Sequence, residues 1–96
     1  MRTVYLVSYD ISQDERRLRV FRALRAIGDH LQYSVFRCEL SAREHAEMVT
    51  ELDVLIDHDR DQVLIVDLGP ADGRGCDCWL SLGRPYTAAE RSAIVI

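Results

Sequence analysis

Asp10 closes the apolar stretch Tyr5-Leu6-Val7-Ser8-Tyr9, and five arginines (Arg16, Arg17, Arg19, Arg22 and Arg25) follow with no acid among them. An acid in that place has two uses. It can cap or be solvated in a strand-to-helix turn, or it can ligate a hard cation. Magnesium takes one or two carboxylates and fills its octahedron with waters and substrate phosphates. One carboxylate is thin for that task, but a two-fold axis would supply its twin. Arginine suits phosphate because its planar fork donates two parallel hydrogen bonds. On a helical wheel Arg17 falls near the apolar sector, at the helix end closest to Asp10. Arg17, with Arg16 and Arg19, is placed to meet phosphate oxygens or to pair with Asp10. Arg22 and Arg25 step around the outer face with Arg19 and read as solvated helix surface. Tyr9, Tyr33 and Phe36 add aromatic faces to the region. Core packing is the plainer use for each, and an outward Tyr9 or Phe36 could stack on an unpaired base.

The elements that must position these groups follow from apolar spacing. Residues 3–9 read as a strand. Ser12-Gln13-Asp14-Glu15 reads as a capping box opening a helix that places Val20, Phe21, Leu24 and Ile27 on one face and ends at Gly28. Residues 30–40 read as one bent strand or as two joined by a very tight turn. Ser41-Ala42-Arg43-Glu44 is a second capping box, starting a helix with His45, Met48, Val49, Leu52, Leu55 and Ile56 along its apolar side. Residues 61–69 form a strand with a nearly continuous apolar run, as when both faces are covered. Residues 70–75 read as a turn-rich loop and 76–83 as a further strand. The order predicts an α+β fold, the βαββαβ split of a ferredoxin-like domain spanning 1–96, with an additional C-terminal strand. Two helices cover only one face of such a sheet. A second copy of the chain is the expected cover for the other, with the strand and tail at 78–96 extending the contact.

Bulk composition narrows the class. Ninety-six residues, 48% apolar and 29% charged, describe a globular chain with one core. No run approaches the length of a membrane helix, and the first strand leaves no room for a leader, so a cytoplasmic protein is expected. The three cysteines fit a reducing compartment; Cys76 and Cys78, spaced Cys-x-Cys, read as reduced thiols rather than a zinc site. A net charge of −4 argues against coating nucleic acid by bulk electrostatics and leaves a local arginine patch as the contact.

The combination of Tyr5-to-Ser12 (YLVSYDIS), Arg16-to-Val20 (RRLRV), Gln32-to-Phe36 (QYSVF), the helix after Glu39-Leu40-Ser41 and the ending from Leu82 (LGRPYTAAERSAIVI) resembles the small CRISPR-associated endonuclease family that works with the spacer-acquisition integrase, the Cas-two family. The match runs in order along nearly the whole chain. It implies a ferredoxin-like homodimer whose Asp10 lies at the subunit interface and binds magnesium or manganese. It also implies metal-dependent cleavage of single-stranded RNA or double-stranded DNA, and a place in the adaptation complex bridging two integrase dimers. By the same resemblance Tyr9, Arg17, Arg19, Ser34 and Phe36 fall at positions of the family's site neighbourhood. Arg37-Cys38 and Gly75-to-Trp79 (GCDCW) depart from the family pattern.

Two functions are compatible with these residues. In the first, Asp10 and its symmetry mate hold the cation of a nuclease, while Arg17 or Arg19 neutralises charge growing on the phosphate. No histidine lies near Asp10 in sequence, and His30, His45 and His58 read as surface residues, so no general base is evident and catalysis is expected to be slow. In the second, the dimer is a non-catalytic adaptor whose arginines grip the DNA backbone. A toxin-type ribonuclease on the same scaffold would share Asp10 without an integrase partner. A metabolite-binding regulatory domain lacks support, because the glycine-rich loop at 69–75 shows no phosphate-cradling pattern.

Overall fold

The structure, a computed structural model, describes residues 1–86. Seven elements follow one another: β1 (Thr3–Asp10), α1 (Asp14–Arg25), β2 (Asp29–Gln32), β3 (Val35–Leu40), α2 (Ala42–Leu55), β4 (Gln62–Pro70) and a short α3 (Arg74–Asp77). The strands form one antiparallel sheet in the order β2-β3-β1-β4. That order is the ferredoxin-like one: each helical crossover returns the chain two strands away, and the gap is filled by a strand from the other half.

Alternation along the strands assigns the two faces. Tyr5, Val7 and Tyr9 of β1, with Phe36, Cys38 and Leu40 of β3, are buried against Val20 and Leu24 of α1 and Met48 and Leu52 of α2. Val63 and Ile65 of β4 join the same layer. The opposite face carries Leu6 across from Val66, Ser8 across from Leu64, and Asp10 across from Gln62. No helix of the described residues covers that end of it, and Leu64 and Val66 remain 54% and 47% exposed.

Residues 30–40 resolve into two strands joined by the two-residue loop Tyr33-Ser34. The second capping box forms as read, with the Ser41 hydroxyl accepting from the Glu44 amide and the Glu44 carboxylate accepting from the Ser41 amide. The first does not. α1 begins one residue later, and the Gln13 side chain, not Ser12, accepts the Arg16 amide at 2.7 Å. Ile11 is buried, so the chain stays committed to the core until Ser12 and cannot begin the helix earlier.

The strand expected at 76–83 is not formed, and part of the loop at 70–75 is helical instead. Gly75 explains why. A Cβ there would lie 2.7 Å from both Val4 Cγ2 and the Gly69 carbonyl, so only glycine lets this backbone settle directly on the sheet face. The chain is drawn over the Val4 end of the open face rather than along an edge. The Trp79 indole then donates to the Gly75 carbonyl at 3.0 Å, and the Trp79 ring stacks on Tyr86. Of the strand and tail at 78–96 expected to contact a partner, residues 87–96 lie outside the described residues.

Candidate active site

Asp10 is the last residue of β1 and is exposed. Its carboxylate has no hydrogen bond or ion pair among the described residues. Side chains directly opposite on antiparallel strands share a face, so Asp10 stands beside Gln62 on the same open face as Leu64 and Val66. The acid thus borders an apolar surface without being buried by it.

The loop after Asp10 is braced by Arg17. Its guanidinium donates to the carbonyls of Ile11 and Ser12 at 3.2 Å each and to the Asp14 carboxylate at 2.6 Å. One cation therefore satisfies three oxygens of the turn that holds Asp10 in place. Arg16 donates two hydrogen bonds to Asp61, at 2.8 and 3.2 Å. The pair raises the Arg16 pKa and, with the Asp57 amide, holds the Asp61 carboxyl below its ordinary range. Neither arginine pairs with Asp10 as their spacing had suggested; each has a nearer carboxylate on its own side of the sheet. Arg19 is 63% exposed and lies 4.0 Å from Glu15, leaving its fork turned toward solvent.

Tyr9 and Phe36 face the core, their rings 6.3 Å apart, so neither presents a stacking surface to solvent. Burial pushes the Tyr9 phenol pKa up, while the nearby charge of Arg17 pulls it down. Ser34 enters through its backbone: its carbonyl accepts the Tyr9 amide at 3.2 Å, which fixes the β2–β3 turn at the Asp10 end of the sheet. Tyr33 is the aromatic that faces out, at 94% exposure. The signal available in sequence was the brevity of the loop, since a two-residue connection between paired strands leaves its first side chain nothing to pack against.

The oxygen-only donor character of this corner suits a hard cation such as magnesium or manganese. Among the described residues no three His, Cys, Asp or Glu side chains converge, so one chain offers the single ligand Asp10. The donor set fits such an ion only when a second carboxylate is brought to it. The histidines have other engagements: His30 Nε2 meets the Tyr33 carbonyl at 2.6 Å, His45 stacks on Tyr5, and His58 bonds Asp53. Among the described residues no helix is long and apolar enough to cross a membrane.

With this geometry in view, the comparisons with known proteins are specific. The family described as CRISPR associated protein Cas2 matches residues 1–73. A Rhodospirillum rubrum protein named CRISPR-associated endoribonuclease Cas2 1 is 38% identical over 92 residues, 96% of this chain and 89% of its own. A Geobacter sulfurreducens protein named CRISPR-associated endoribonuclease Cas2 is 34% identical over the full length of both. In three dimensions, the crystal structure of Streptococcus pyogenes Cas2 at pH 6.5 superposes with a TM-score of 0.72 at 25% identity, covering 83% of this chain and 99% of that one. The strand order, the acid closing β1 and these likenesses agree: the chain belongs to the CRISPR-associated Cas2 family.

Proposed function

We propose that the protein is a divalent-metal-dependent endoribonuclease whose active site is completed when two copies pack their open sheet faces together and bring both Asp10 carboxylates to one cation. The observation that carries this reading is the exposed Asp10, without a hydrogen bond or ion pair among the described residues, on the same face as the half-exposed Leu64 and Val66. Burying that apolar surface against a second copy would also place the acid beside the symmetry axis. The names of the relatives, endoribonucleases, support the reaction class.

When bound, magnesium or manganese would polarise the scissile phosphate and make the attacking water more acidic. The chain's own residues do the rest. Asp10 supplies the anionic ligand, and Arg17 holds the loop that aims it. Arg19, turned to solvent, offers its fork to phosphate oxygens. With every histidine engaged elsewhere, no side chain of the described residues stands ready to take the water's proton, which makes a slow nuclease.

A row of exposed arginines on α1, Arg19, Arg22 and Arg25, favours a second role in the same protein: contact with the DNA backbone while the dimer serves the spacer-acquisition integrase. In that role the dimer is a non-catalytic adaptor; duplex DNA is separately the alternative substrate of the nuclease. The deciding experiment assays Asp10→Asn beside the native protein on single-stranded RNA and duplex DNA with magnesium, manganese or a chelator. Metal-dependent RNA cleavage should vanish in the variant while the protein stays folded and dimeric. Undiminished cleavage would refute the assignment.

A further inference from the structure

Tyr33 is the one non-glycine residue with positive φ among the described residues, at +31°. It is the first central residue of the β2–β3 loop. Two-residue hairpin loops that follow the strands' twist need positive φ there, a position glycine fills without strain. A tyrosine is strained in that place, and its ring, 94% exposed, gains nothing by burial. Turn chemistry and core packing both leave the residue unexplained. A strained backbone carrying an exposed aromatic is a reason to look for a ligand.

The surroundings supply one. Tyr33 forms the edge of an open cleft of about 420 Å³ lined also by Tyr9, Asp14, Arg17, Leu18 and Phe21. Phe21 is the apolar aromatic of its lining, and its ring is held edge-on by His30 at 5.0 Å and by the buried Phe36 at 5.5 Å. The His30 ring also holds the Tyr33 carbonyl, which ties the loop to the ring that supports Phe21. An outer aromatic beside the apolar Leu18 and Phe21 matches the face of a planar base; Arg17 is held by Asp14 and the loop carbonyls and is not needed for it. A base inside a duplex has both faces covered by its neighbours, so only an unpaired base can use such a platform.

We propose that Tyr33 is a stacking platform for one unpaired nucleobase of the substrate strand and so selects single strands over duplexes. The inference rests on the nuclease reading above and names the form of its substrate. Tyr9 and Asp10 are consecutive and point to opposite faces, so a base held over the Tyr9 side leaves the next phosphodiester to pass round the end of β1 to Asp10.

The test measures binding of the native dimer in chelator, which prevents cleavage. Probes are a single-stranded RNA containing 2-aminopurine, the same sequence as single-stranded DNA, and an RNA duplex of equal length. Tyr33→Gly relieves the strained φ and should fold at least as stably. It should nonetheless lose about ten-fold in affinity for both single strands. The quenching of 2-aminopurine on binding should disappear with it, and affinity for the duplex should be unchanged. Tyr33→Phe should retain the native values. Native affinity and quenching in Tyr33→Gly would overturn the platform, as would an equal loss on the duplex. Binding and quenching as expected in a protein that never cleaves with metal would uphold the platform and sink only the nuclease reading.

Discussion

Replacing Leu64 and Val66 together by aspartate probes the open face directly. In one chain these side chains are 54% and 47% exposed, and a partner sheet would cover the remainder. Complete burial of a Leu or Val side chain contributes roughly 1.5–3 kcal/mol, so covering the exposed half contributes roughly 1 kcal/mol. Two positions in each of two copies give about 4 kcal/mol, close to a thousand-fold in the dimer dissociation constant. Four carboxylates drawn into the contact add repulsion in the same direction. Sedimentation over a concentration series should therefore find a dimer for the native protein and a monomer for the double variant at micromolar concentration. Far-ultraviolet circular dichroism should change little, because neither side chain packs into the core of its own chain, while Tm should fall and lose its dependence on protein concentration as the dimer is lost. RNA cleavage should fall with the dimer population, since each copy brings one carboxylate. A double variant that dimerises with the native constant would refute the argument that this face is the contact, and undiminished cleavage by a monomer would refute the shared site.

Two further outcomes follow from hydrogen bonds within the fold. Ser41→Ala removes the hydroxyl that accepts the Glu44 amide at 3.2 Å and should cost about 1 kcal/mol, or about 4–8 °C in Tm by calorimetry. Asp61→Asn tests the Arg16 brace through pH. Because the Asp61 carboxyl is held below its ordinary range in the folded chain, its contribution to stability is present above about pH 4 and is lost as pH falls through the lowered value. Urea denaturation should therefore find the variant less stable than the native protein at neutral pH. The gap should narrow steadily below pH 4; a gap independent of pH would show that Asp61 acts by packing alone.

Local chemistry was enough for much of this protein. The apolar spacing of 3–9 and 61–69 marked two strands, and the Val20–Leu24 and Met48–Leu52 pairs marked the buried stripes of two helices. Ser41 with Glu44 marked a cap that forms as read. Asp10 was legible as a candidate because an acid ending an apolar strand has no use in the core. What could not be read locally was decided by competition between distant groups. Arg16 and Arg17 were free to meet Asp10 in sequence, but folding brings Asp61 to the first and the loop carbonyls with Asp14 to the second. Residues 76–83 carry apolar side chains that would suit a strand, yet Gly75 admits the backbone onto Val4 and turns the chain across the sheet. Facing along the strands is decided by register: one residue's shift exchanges core for solvent, which is why Tyr9 and Phe36 point inward, while Tyr33, in the two-residue loop, points outward. The sequence by itself determined the elements, their order and the lone acid, because each depends on neighbours a few residues away. Only the tertiary structure decided which cation braces which carboxylate, and which face of the sheet the described residues leave bare beside Asp10.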